Sequence, residues 1–247
     1  MGTTRALRGQ NGVLWARGPV VRHRSTAVLV APSLVPTLPP LVLQLKRIFD
    51  VIVSGIGLLI AAPVLLLTAI AVRLDSKGPA FYKQERLAVV GANGRGKTFM
   101  MLKFRTMRVD AESATGPVWA QEVDPRITRV GRILRKARLD ELPQLINVFI
   151  GEMSMVGPRP ERPFFTRQLQ QQIPGYHDRL LGGMKPGITG WAQIHCPYDT
   201  SVESVNNKLL YDLTYAAHLH QPSTWFRMEL ITLLKTVKVA LTGKGAH

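Results

Sequence analysis

Asp140 and Glu141 are adjacent carboxylates between a basic segment and a proline. Upstream stand Arg126, Arg129, Arg132, Arg135, Lys136 and Arg138. Downstream are Pro143 and the apolar run Leu145-Ile146-Asn147-Val148-Phe149. Proline is tolerated in the first helical turn, and Asp is a good N-cap. The spacing therefore predicts a helix opening at Asp140 and Glu141. The positive field of its N-terminus and the nearby cations would keep a carboxylate ionised. An ionised carboxylate among cations is suited to attack phosphorus and carry a phosphoryl group covalently. The same pair would also serve as a cap and a surface ion pair, so other segments must separate the two readings.

Three of those segments carry chemistry. Lys103 and Arg105 lie two apart in Lys103-Phe104-Arg105-Thr106-Met107, on one side of a strand, facing an anion or simply solvent. In Gly157-Pro158-Arg159-Pro160, prolines restrict the backbone on both sides of Arg159. A fixed guanidinium suits a phosphate or a planar partner. Gly91-Ala92-Asn93-Gly94-Arg95-Gly96-Lys97-Thr98 matches a phosphate-binding P-loop in full. A P-loop needs a buried strand before it and a helix after it. Here the flanks, Phe81 to Leu87 and Thr98 to Arg105, both read as strands, so the glycines predict a hairpin turn. Lys185 to Trp191 reads as a turn leading into a short strand. Residues 225–241 read as an apolar and basic helix that packs on the domain or else lies in a membrane interface.

The elements that position these groups begin with Val51 to Val72, 22 residues without a charge. That is long enough to cross a bilayer. Lys46 and Arg47 precede it, Arg73 and Lys77 follow it, and no acidic residue occurs before Asp50. Basic flanks on both sides each favour the cytoplasmic face. Pro63, near the middle, favours a bend. A helix that enters, bends near Ala62-Pro63 and leaves by the same face satisfies both observations, as does a kinked spanning helix. Residues 1–45 read as a flexible basic leader, 46–75 as the membrane helix and 76–247 as a catalytic domain. Lys and Arg number 32 against 16 Asp and Glu, a net charge of +16. Such a chain seeks anions. Cys196 is the one cysteine, so no intrachain disulfide forms. No Asp-x-Asp triplet occurs, which argues against a common metal-binding glycosyltransferase motif.

Taken in order, these blocks resemble the bacterial sugar transferase family, the monotopic polyprenol-phosphate phosphoglycosyl transferases. They are Lys46 to Asp50, Gly78 to Arg86, Lys103 to Met107, Asp124 to Gly131, Leu139 to Leu145, Gly151 to Ser154, Gly157 to Pro160 and Lys185 to Trp191. The likeness runs from about Lys46 to the C-terminus. It implies a re-entrant membrane helix broken near Pro63, with Ala62 standing where relatives often have Ser. It implies a small form of the family, or a truncated one, similar to its exopolysaccharide-priming branch, acting at the cytoplasmic face of the inner membrane and in contact with its lipid. Asp140 would attack the β-phosphorus of a UDP-sugar, releasing UMP. Polyprenol (undecaprenyl) phosphate would then take the phosphosugar from the aspartyl intermediate.

Magnesium is the implied cofactor, with Asp140 and Glu141 as its metal residues. Arg105 and Arg135 would face phosphate, and Pro158, Arg159 and Pro160 would meet the uridine part. The expected fold is α+β: a mostly helical monotopic membrane domain with a re-entrant N-terminal helix and a small antiparallel hairpin. No nucleic-acid partner is expected, and the oligomeric state and the sugar stay open. Two other functions also stay open: a P-loop NTPase using Gly91 to Thr98, and a non-catalytic basic membrane-binding protein.

Overall fold

The structure, a computed structural model, describes residues 38–90, 96–113, 124–173, 176, 184–196 and 202–242. Most of the expected leader, residues 1–37, lies outside the described residues. Helix α1 (Pro40–Asp75) is 36 residues long. Pro40 opens it, where a missing N–H costs nothing, and Pro63 lies inside it. It is the one helix, among the described residues, long and apolar enough to cross a membrane. Its middle is apolar and uncovered: Leu59, Ile60, Leu66 and Leu67 are 64–79% exposed.

Strands β1 (Phe81–Val90) and β2 (Gly96–Phe104) form an antiparallel hairpin, registered from Phe81↔Phe104 to Val90↔Gly96. The hairpin reading of the glycine-rich string holds on both flanks; residues 91–95 themselves lie outside the described residues. Lys97 and Thr98 sit in β2, where a P-loop would require a helix start, so the P-loop reading is excluded.

Helix α2 (Arg129–Lys136) is capped by Thr128, whose Oγ1 accepts from the Gly131 N–H at 3.0 Å. A 3-10 turn (Leu139–Glu141) and α3 (Gln144–Ile150) follow. Strand β3 (Ser154–Val156) leads to α4 (Pro163–Gln172) and then β4 (Gly187–Thr189). The strands β3 and β4 pair in parallel; β4 is the short strand expected within Lys185 to Trp191, while β3 and the pairing are absent from the sequence reading. Helices α5 (Val202–His218) and α6 (Pro222–Thr242) complete the described residues.

The main core gathers Val42 of α1, Phe99 and Met101 of β2, Leu145 and Val148 of α3, Met155 and Val156 of β3, and Tyr215, Trp225 and Met228 of the last two helices. A second cluster joins Val72 of α1, Phe104 of β2 and Leu134 of α2. The two halves of α1 thus pack on the hairpin and on the short helices that carry the carboxylate pair. Helix α6 packs on the core as expected, burying Trp225, Met228 and Glu229.

Candidate active site

The carboxylate pair does not open a regular helix. Glu141 N–H donates to Arg138 O and Leu142 N–H to Leu139 O, both at 3.3 Å, which are i to i+3 bonds. Pro143 has no N–H to continue an i to i+4 ladder onto Leu139 O, so the turn tightens and α3 starts after it. Asp140 is therefore not an N-cap, and no side chain caps this turn. Arg138 enters the turn with φ +55°, in the left-handed region. Such a conformation is uncommon for a non-glycine residue and is held here by its surroundings.

The turn sits against β2. Lys103 Nζ lies 2.7 Å from Glu141 Oε1, and both side chains are 14% exposed. Arg159 Nη2 lies 3.4 Å from the same oxygen, and Arg138 Nη1 lies 3.9 Å from Oε2. Burial alone would raise the Glu141 carboxyl, but Lys103 and Arg159 hold it well below the usual carboxylate range. Burial lowers the Lys103 ammonium, with Glu141 opposing. Glu141 is thus an ionised hub among three cations.

Asp140 is different. It is 9% exposed, and no other side chain among the described residues hydrogen-bonds to its carboxylate. Burial pushes its carboxyl up, and Glu141 adds to that; Lys103 and Arg135 pull it back. The sequence reading had the surroundings favouring the ionised form. The direction is the reverse, because desolvation outweighs the cations.

Arg135 lies near enough to Asp140 to pull its carboxyl down. Its Nε–H donates to Thr106 Oγ1 at 3.0 Å, and its other guanidinium N–H groups make no hydrogen bond among the described residues. Helix α2 reaches this position because Gly131 lies flat on the Thr106 carbonyl; a Cβ there would be 2.1 Å from that oxygen. Pro158, Arg159 and Pro160 are also fixed beside the pair. Gly187 N–H donates to Pro158 O at 2.9 Å, Arg86 Nη1 donates to Pro160 O at 3.0 Å, and a Cβ on Gly157 would meet Lys185 O at 2.3 Å.

Arg105 does not face phosphate. It is 5% exposed, and its guanidinium donates to Pro79 O at 2.7 Å and to Ser76 Oγ, Lys77 O and Ser76 O at 2.8 Å. Longer contacts reach Gly78 O and Val72 O. A guanidinium has five N–H groups, and these acceptors occupy them. Arg105 closes the C-terminal end of α1, where carbonyls lack helical partners.

At the other end, Arg47 donates to Val148 O and Phe149 O, both at 2.7 Å, capping α3. Lys46 is buried against Glu229 at 2.6 Å, and Asp50 accepts from Ser154 Oγ and Met155 N–H. Sequence reasoning placed Lys46 and Arg47 only as basic flanks; the acceptors are 100 or more residues away. Lys103 was noted as a strand cation but not as the partner of Glu141.

Magnesium binds through one or two carboxylates together with waters and substrate phosphates. Among the described residues, Asp140 has no side-chain hydrogen-bond partner and Oε2 of Glu141 has only Arg138 within ion-pair distance, so the pair fits that donor set. No group of three or more His, Cys, Asp or Glu side chains converges among the described residues. The donor set is one completed by a phosphorylated substrate.

Several known proteins resemble this chain. A family model described as bacterial sugar transferase matches residues 42–243. A Bacillus subtilis protein, provisionally named undecaprenyl-phosphate N-acetylgalactosaminyl 1-phosphate transferase, is 50% identical over 141 residues, 57% of this chain and 75% of the relative. The Escherichia coli UDP-glucose:undecaprenyl-phosphate glucose-1-phosphate transferase is 40% identical over 82% of this chain, which spans 41% of that relative. A Rhizobium leguminosarum exopolysaccharide production protein, PSS, is 39% identical over 82% of this chain and 98% of its own length.

Proposed function

The chain belongs to the bacterial sugar transferase family, and from that premise we propose that it moves a sugar-1-phosphate from a UDP-sugar to polyprenol phosphate, releasing UMP, in the first membrane step of exopolysaccharide or glycoconjugate synthesis. The observation that carries the reading is the contrast within the carboxylate pair. Glu141 is neutralised by Lys103, Arg159 and Arg138, while Asp140, next to it, has no side-chain hydrogen-bond partner among the described residues. Asp140 is the nucleophile. Its oxygen attacks the β-phosphorus, and the bond from that phosphorus to the bridging oxygen breaks, so UMP leaves. An oxygen of the lipid phosphate then attacks the same phosphorus, the aspartyl–phosphorus bond breaks, and the carboxylate returns. One diphosphate linkage is lost and one formed, so no nucleoside triphosphate is required. Positioning and charge neutralisation are what remain for the protein to supply.

Arg135, whose remaining N–H groups make no hydrogen bond among the described residues, offers them to phosphate, with Thr106 fixing its Nε. Arg159, held rigid by Pro158 and Pro160, borders the donor side. Lys103 keeps Glu141 ionised. Bound by Asp140, Glu141 and the donor diphosphate, magnesium would supply further neutralisation of phosphate charge. Arg105 positions the end of α1 and takes no part in binding.

The domain works at one face of a membrane, the cytoplasmic face of the inner membrane. Both ends of α1 are bonded to the same domain: Lys46, Arg47 and Asp50 at the start, Asp75 to the Val130 N–H and the Arg105 clasp at the end. A spanning helix would put its ends on opposite sides of about 30 Å of hydrocarbon. The exposed Leu59 to Leu67 stretch, with Pro63 within it, enters the bilayer and returns.

The test is a screen of UDP-sugars with undecaprenyl phosphate and magnesium. UMP should appear in proportion to lipid-linked sugar phosphate. Release of UDP, or nucleotide hydrolysis without lipid product, would overturn the assignment.

A further inference from the structure

We infer that Glu229 is a positioning residue for the lipid-acceptor step: through Lys46 it holds the start of α1 in register with the carboxylate pair. The inference rests on the two-step reaction above and goes beyond it.

Glu229 lies on α6 and is fully buried. Its Oε1 receives Lys46 Nζ at 2.6 Å, Trp225 Nε1–H at 3.1 Å and the Tyr215 hydroxyl. Its Oε2 is buried and has no hydrogen-bond partner among the described residues. Three donors on one oxygen and none on the other is a poor arrangement for stability alone. Apolar residues of similar volume often replace a buried ion pair without loss. What the pair provides is direction: it fixes one point of α1 against α5 and α6 at once.

One helical turn further, Asp50 fixes a second point. Residues 46 and 50 share a helix face, and Asp50 Oδ1 accepts from Ser154 Oγ at 3.0 Å and Met155 N–H at 2.8 Å. Ser154 and Met155 belong to β3, which runs into Gly157 and Arg159, and Arg159 reaches Glu141. Asp50 thus ties α1 to β3, Arg159 and the catalytic turn by bonds of its own, while the Lys46–Glu229 pair separately sets how the start of α1 lies against α5 and α6.

The two substrates feel this connection differently. A UDP-sugar arrives from water and needs no fixed height above the membrane. A polyprenol phosphate is held by its tail in the lipid beside α1, so its phosphate meets Asp140 only if α1 sits at the right depth and angle. Misplacement of about 1 Å far from the chemistry can cost about 100-fold in rate.

The variant is Glu229→Gln, which keeps the volume and an acceptor oxygen for Tyr215 and Trp225. Two readouts are compared in lipid vesicles: the burst of UMP from UDP-sugar alone, and steady transfer to undecaprenyl phosphate. The UMP burst should stay within about twofold, and the KM for the lipid should rise by about tenfold or more. A short-chain, water-soluble prenyl phosphate should be used as well as by wild type. Equal loss in both halves, or no change in either, would overturn the inference. If Glu229→Gln fails to fold, Lys46→Met/Glu229→Gln removes both charges together and is read by the same split. Absence of a UMP burst from the wild-type protein would overturn the two-step reading, and this inference with it.

Discussion

Replacing Lys103 by Met removes the cation nearest the catalytic turn. At 2.7 Å from Glu141, an effective dielectric of about 20 gives an attraction of about 6 kcal/mol. Taking both groups out of water offsets roughly half of that. Arg159 at 3.4 Å and Arg138 at 3.9 Å remain beside Glu141, so the loss belongs at the low end for a broken buried pair, about 3 kcal/mol. Glu141→Gln strands Lys103 instead and should cost a similar amount. In the double variant neither charge is left behind, so the two costs should overlap by about 2 kcal/mol or more. Equilibrium denaturation of the four proteins in one detergent gives the coupling. Because the Glu141 carboxyl is held below its ordinary value of 4.5, its contribution is complete above that pH and is lost as pH falls further. The coupling should therefore be the same at neutral and mildly acidic pH. Costs that add within about 0.5 kcal/mol would refute the pairing as described.

Asp140→Asn should be more stable than wild type at neutral pH, since a buried carboxyl whose pKa is raised binds its proton more tightly folded than unfolded; the gain should vanish as pH falls through that raised pKa, and thermal unfolding across pH reads it. The donor half-reaction of wild type should likewise fade on acidification at a pH above the ordinary Asp range, as the nucleophile takes up its proton. Arg105→Ala should lower stability by about 3 kcal/mol or more, the scale for loss of a buried charged network, with the KM for UDP-sugar in the folded fraction unchanged; a large KM effect would return Arg105 to the binding site. Cysteines placed at Ser33 and at exposed Ser113, in a Cys196→Ser background, should both resist an impermeant thiol reagent in intact cells and label after lysis. Pro63→Leu favours a straight helix by about 3 kcal/mol and should expose the Ser33 position outside in part of the population; labelling there with Pro63 present would refute the one-sided topology.

Local patterns in the sequence were enough for several parts of this structure. The uncharged run gave α1, the glycines between two alternating segments gave the β1–β2 hairpin, and prolines either side of Arg159 gave a rigid block. Each depends on neighbours along the chain. What escaped depends on distant partners. Lys103 and Glu141 are 38 residues apart, and nothing local distinguishes a paired lysine from a solvated one. Arg105 reads as a phosphate ligand from its place two residues after Lys103 and from the family resemblance; its acceptors are the loose carbonyls at the end of α1. The short strand after Lys185 was legible, but its partner β3 is three residues long, too short for periodicity to register, and parallel pairing joins segments far apart in the chain. The start of α3 was misplaced because Pro143 was read as first-turn residue, whereas its missing N–H breaks the ladder there.

The central claim is that Asp140 carries the phosphosugar. It is tested most directly by intact-protein mass after exposure to a UDP-sugar and magnesium without lipid. Wild type should gain the mass of one sugar phosphate, release one equivalent of UMP, and lose the adduct when undecaprenyl phosphate is added. Asp140→Asn should gain nothing. Turnover by Asp140→Asn, or an adduct that maps to Glu141, would contradict the account.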